Sequence, residues 1–229
     1  MLTKKKRISK KEIKQDKLVN SYYKVLNFYQ KYQAKVIIGL AAFALVVIAI
    51  ILYSNKSTND NLAAANLLSK VIPIYQSGSY EEAINGLPTA NIVGLKEIVD
   101  NYGGTEQGES AKIYLANAYI VTNNIEEAFK LFDDYSGSNP LFKATSLAGR
   151  ASYYEIKKEY EKAADLYKDA SRITISNPSN PEFLLKAGIN LLKLGRKEEA
   201  KAVFLEIKSE YKSAPTTLEL DRYLVQTEN

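Results

Sequence analysis

The sequence contains no Cys, no His and no Trp, and a single Met. Without Cys or His there is no disulfide, no thiolate nucleophile, no Ser-His-Asp triad and no ordinary zinc site. A GxxxxGK phosphate-binding loop is also missing. Most hydrolase and redox chemistries are thereby excluded. The 229 residues present suffice for one ordinary domain with extensions, or for two small ones.

Charge is unevenly spread. Residues 1–35 hold eleven Lys/Arg against only Glu12 and Asp16, a net +9, whereas the rest of the chain holds 20 basic and 24 acidic residues, a net −4. A basic tail thus precedes a mildly acidic body. A charge excess confined to one end acts on whatever adjoins it, so nucleic acid is not the expected partner.

What adjoins the tail is an apolar run, VIIGLAAFALVVIAIILY from Val36 to Tyr53, with no charge, amide or hydroxyl before its closing Tyr. As a helix it extends about 27 Å, close to a hydrocarbon thickness of roughly 30 Å. A buried core helix would rarely run so long without a polar position. A cleaved signal would be shorter, nearer the start and followed by a small-x-small site, which Tyr53-Ser54-Asn55-Lys56 does not supply. The segment, extended to 36–54, is therefore expected to persist as a membrane anchor. Lys24, Lys31 and Lys35 precede it, with Lys4, Lys5, Lys6, Arg7, Lys10, Lys11, Lys14 and Lys17 behind them, whereas only Lys56 follows closely. Basic flanks stay on the cytoplasmic side, which predicts an inside N-terminus and an outside body.

Just before the run, Leu18, Tyr22, Val25, Tyr29 and Tyr32 recur at spacings of four, three, four and three among Lys side chains. One helical face collects them, an arrangement suited to lipid headgroups. Anionic lipid binding is the functional reading, and a topology signal with helix extension is the plainer one.

The body repeats itself. ESAKIYLANAYIVTNNIEEAFKLFDDY from Glu109, ATSLAGRASYYEIKKEYEKAADLYKDA from Ala144 and PEFLLKAGINLLKLGRKEEAKAVFLEI from Pro181 align without gaps. Each has a small residue (Ala116, Ala151, Gly188), a large one three later (Tyr119, Tyr154, Leu191), a polar turn, then a small and a large residue four apart (Ala128/Phe132, Ala163/Tyr167, Ala200/Phe204). Small residues let antiparallel helices approach, and the large ones fill the space against the neighbour. The acid pairs Glu126-Glu127 and Glu198-Glu199 fall in the first turn of second helices, where the helix dipole favours them, so they read as helix starts rather than catalytic carboxylates. Asp133-Asp134, late in a second helix, is expected to face water.

This skeleton resembles the tetratricopeptide repeat, a helix-turn-helix unit of about 34 residues. The resemblance covers roughly residues 61–213 and implies an all-α solenoid. A degenerate first unit, 61–103, carries Leu67, Val71 and Ile74 before a Gly78-Ser79 turn; its second helix, opened by Tyr80-Glu81-Glu82-Ala83, is broken by Gly86 and Pro88. After the loop Gly86–Val93, Leu95, Ile98, Val99 and Tyr102 form one apolar face that Gly103-Gly104 ends. Three regular units span 109–213, and Leu218, Leu220, Tyr223 and Leu224 are expected to cap them. No unit has the family's Trp, and Lys112 stands where Leu147 and Leu184 supply bulk.

The order of tail (1–35), anchor (36–54) and repeat domain (55–229), with the broken first unit and the stretch Glu97-Ile98-Val99-Asp100-Asn101-Tyr102-Gly103-Gly104-Thr105, is similar to the bacterial ancillary Sec-translocon subunit family (YfgM-like). That resemblance implies an inner-membrane protein with a periplasmic repeat domain, whose partners are the translocon, secreted polypeptides or periplasmic chaperones. Related repeats also serve outer-membrane assembly and division-coordinating proteins. No enzyme activity, metal or cofactor is expected. Residues off the packing stripe of each first helix are expected to line a peptide groove on the inner surface: Ile113, Asn117 and Ile120; Ala148, Ser152 and Glu155; Leu185, Ile189 and Leu192. The alternative for each is burial between units.

Overall fold

The computed structural model describes the backbone of residues 10–228 and side chains from Val19 onward. Lys4–Arg7 and the side chains of Lys10, Lys11, Lys14, Lys17 and Leu18, on which part of the basic-tail reading rests, lie outside the described residues. Two compact units divide the chain, Met1–Lys56 and Ser57–Asn229.

Helix α1, Lys10–Gln76, begins in the first unit and ends in the second. Its only non-helical residue is Tyr32, with φ −119° and ψ 17°. The apolar run is long and apolar enough to cross a membrane, and none of it is buried. Phe43, Leu45 and Leu52 are all exposed, whereas the apolar residues of a core helix of this composition would be covered.

In the second unit, the end of α1 buries Ala64, Leu68 and Val71 against α2 (Tyr80–Asn85), α3 (Leu95–Tyr102) and α4 (Glu106–Val121), which contribute Ala83, Ile84, Leu95, Ile98 and Leu115. Helix α2 stops after six residues because Gly86 turns to φ 88°. The chain then forms a small antiparallel hairpin, β1 (Gly86–Leu87) with β2 (Ile92–Val93), around a 3-10 turn at Pro88–Ala90. Sequence patterning placed only a loop here. Two-residue strands are too short to generate an alternating signal.

Three helix pairs follow: α4 with α5 (Ile125–Asp133), α6 (Pro140–Ile156) with α7 (Tyr160–Arg172), and α8 (Asn180–Lys193) with α9 (Lys197–Glu210). Their starts have local causes. Thr105 caps α4 by accepting from Gly108 N–H, and Asn139 caps α6 by accepting from Leu141 and Phe142 N–H, with Pro140 in the first turn. Ala128, Ala163 and Ala200 are fully buried at the helix-pair contacts, and Phe132, Tyr167 and Phe204 fill the gaps beside them. Glycine serves the same end at two places. A Cβ on Gly188 would strike the Phe204 ring of its own pair, and one on Gly149 the Phe132 ring of the preceding pair. A 3-10 turn at Pro215–Glu219 leads to α10 (Leu220–Glu228), which buries Leu220 and stacks Tyr223 on Phe204 at 5.6 Å.

Candidate functional site

The first helices α4, α6 and α8 carry the nine predicted groove positions, and these divide into three groups. Ile113 is buried to 2% exposure among Ala116, Ala128 and Phe132, and Leu185 to 7% in the C-terminal core. Both are packing residues, which corrects the expectation for Ile113; only the edge of Leu185 reaches a cleft described below. Asn117, Ile120, Ala148, Ser152, Ile189 and Leu192 are half-buried. Glu155 is engaged: it accepts from Lys193 Nζ at 2.7 Å, tying α6 to α8, and from Tyr167 Oη at 3.4 Å. Burial and the Glu155 carboxylate together push the Tyr167 phenol well above its usual value, so it stays neutral and donates.

Where α8 meets the cap lies a cleft of about 510 Å³. Pro181, Leu185 and Ile189 supply one wall and Pro215, Glu219 and Tyr223 the other. Lys186, on the same rim, sits 5.7 Å from the Tyr167 ring centroid and 3.4 Å from Glu182. An apolar floor with charged rims of both signs suits a peptide side chain entering with its backbone left in water. The cap was expected against this last unit, and its Tyr223 forms part of the cleft wall.

Aromatic residues missed by the spacing rule link the first helices at the other end. Tyr75 of α1 meets Tyr114 of α4 edge-on at 5.2 Å, and Tyr114 meets Phe142 of α6 at 5.8 Å. All three are half-buried. Tyr114 directly follows Ile113, and Gly149 and Lys186 occupy its place in the later units, so the repeat alignment offered no common signal.

The acids are structural in their contacts. Glu126 accepts from Tyr153 at 2.9 Å and Lys157 at 2.7 Å, and these bonds hold its carboxyl below the usual range. Asp133 and Asp134 are exposed, as expected, and each also bridges to a neighbouring helix: Asp133 to Arg150 at 3.1 Å and Asp134 to Lys112 at 2.7 Å. Lys112 is itself buried, its side chain 9% exposed, and also bonds Glu109 at 2.8 Å. Burial opposes its charge, but the hydrogen bonds it donates to Asp134 and Glu109 outweigh that and hold it above the ordinary lysine value.

Comparison with known proteins fits this geometry. No protein-family model matches the chain, and no curated protein matches it. Among solved structures it is similar to a protein from Podosopora anserina described as a kinesin light chain with nearly identical TPR-like repeats, at a TM-score of 0.54 and 16% identity, over 71% of this chain and 84% of that one. Likeness at that identity is one of fold. The chain is thus an all-α protein in which a long apolar helix precedes a tetratricopeptide-repeat-like solenoid.

Proposed function

We propose that the protein is a membrane-anchored interaction scaffold. The observation that carries this reading is the open cleft between α8 and the cap. Residues 36–54 serve as a single-pass anchor with the N-terminus in the cytoplasm, and 55–229 as the outward repeat domain. The resemblance in the order of its parts supports a finer role as an ancillary subunit of the Sec translocon, presenting secreted chains to periplasmic chaperones. Photo-crosslinking residues placed at Ile189 and Tyr223 in the full chain test this in cells. Adducts with secretory polypeptides or chaperones are expected. Adducts confined to outer-membrane assembly or septal proteins, or none from an abundant protein, would refute the translocon role.

A further inference from the structure

The first unit carries an exposed surface that the repeat fold does not use. Tyr22, Val25, Phe28 and Tyr29 are all exposed on α1. At about 100° per residue they share one side of the helix with Tyr32, while Asn20, Lys24, Asn27 and Lys31 fall on the opposite side. Helical geometry is interrupted at Tyr32, four residues before the apolar run begins at Val36. Around that interruption Lys31 and Lys35 approach the Tyr32 ring at 5.4 and 5.9 Å, and Phe28 packs on it at 5.0 Å. Phe28, Tyr32, Lys35 and Val36 border a shallow hollow of about 310 Å³.

We propose that the part of α1 before Tyr32 is a surface-lying helix, hinged at Tyr32, whose aromatic side seats among the headgroups of an anionic bilayer while Lys24, Lys31 and Lys35 meet their phosphates. It rests on the reading that 36–54 spans the bilayer, which brings this surface to the headgroup layer. The net charge of +9 over residues 1–35 complements anionic lipid, and Tyr and Lys are the side chains that tolerate a half-wet, half-apolar layer. The same four-three spacing would also make a seam between two copies. Pairing two copies, however, brings two +9 segments together over scarcely two heptads, so the bilayer is the favoured occupant.

The absence of native Cys allows a direct test on the full chain. Single spin labels at Val25→Cys and Tyr29→Cys, at Asn20→Cys and Asn27→Cys, and at Leu45→Cys are reconstituted in vesicles of phosphatidylcholine alone, or with one third phosphatidylglycerol. Labels at 25 and 29 are expected to enter lipid only when phosphatidylglycerol is present, while those at 20 and 27 stay in water. Replacing Lys24, Lys31 and Lys35 by Gln is expected to lower the docked-to-undocked ratio about fivefold for each lysine. Labels at 25 and 29 equally in water in both vesicles, or equally inserted in both, overturn the proposal. So does spin–spin broadening that vanishes on dilution with unlabelled chain, which is the mark of a seam between copies. Leu45 reads the span separately: a label there in hydrocarbon, with 25 and 29 in water, removes the hinged helix alone, and a label outside hydrocarbon removes the span and the proposal with it.

Discussion

Lys112 is the most exacting test of how the repeat unit is held together. It occupies a place where the later units have Leu147 and Leu184, yet its Nζ lies 2.8 Å from Glu109 Oε1 and 2.7 Å from Asp134 Oδ2. Glu109, with a side chain 7% exposed, also accepts from Ser136 N–H at 2.8 Å and from Ser136 Oγ at 3.1 Å, which ties the start of α4 to the loop after α5. Lys112→Met keeps the methylene stem and removes the charge, so Glu109 remains buried with its hydrogen bonds but without a counter-charge. Breaking a buried pair in this way costs about 3–5 kcal/mol. The Asp134 arm adds little, because its side chain is 74% exposed and such pairs are worth roughly 0–1 kcal/mol. Asp134→Asn is therefore expected to be nearly silent, and Glu109→Gln combined with Lys112→Met to recover most of the single-mutant loss. Urea unfolding of the full chain in detergent, followed by circular dichroism, measures all three. A Lys112→Met loss under about 1 kcal/mol, or a double variant no more stable than the single one, would refute the reasoning.

Further outcomes follow from the same structure. Gly188→Val and Gly149→Val push a side chain into Phe204 and Phe132, both essentially unexposed, and each is expected to cost about 1–3 kcal/mol in the same unfolding assay; Gly104→Val, which faces open space, is the control. In alkali, the Tyr135 phenol is pushed up to about 12, chiefly by burial and then by Glu106 and Glu109, and Tyr75, Tyr119, Tyr167 and Lys112 are also raised. Raised values in the folded state stabilise it fully below the ordinary tyrosine value of 10.0 and lose that contribution as pH climbs through about 12. A fraction of the tyrosine absorbance change near 295 nm should therefore appear only as helical dichroism falls, and a single titration near 10 with intact helix would contradict the burial. For topology, Ser9→Cys and Ser209→Cys in intact cells are expected to react with an impermeant maleimide only at position 209. Labelling of both, or of position 9 alone, reverses or abolishes the proposed orientation.

The helix pairs were legible because their packing rule is local: a small residue followed by a large one at fixed spacing reports which side of a helix meets its partner, whatever the rest of the molecule does. Gly86 and Pro88 announced a broken helix by the same kind of local chemistry, backbone freedom and a missing N–H. The interruption at Tyr32 had no such herald, since neither Pro nor Gly is near it. Groove residues were legible only as a face. Ile113 and Asn117 lie one turn apart on α4, yet Phe132 closes over Ile113 and leaves Asn117 half-open.

Composition and order alone determined that this chain has no thiol or imidazole chemistry, that an apolar stretch separates a basic tail from an acidic body, and that the body is a run of paired helices. These are properties of residues and of their nearest neighbours along a helix. Tertiary structure decided which charges are buried and paired, as with Lys112 between Glu109 and Asp134, and where a cleft stays open, as between α8 and the returning cap. Such outcomes depend on which side chains arrive from 22 residues away or more, and only the folded chain brings them together.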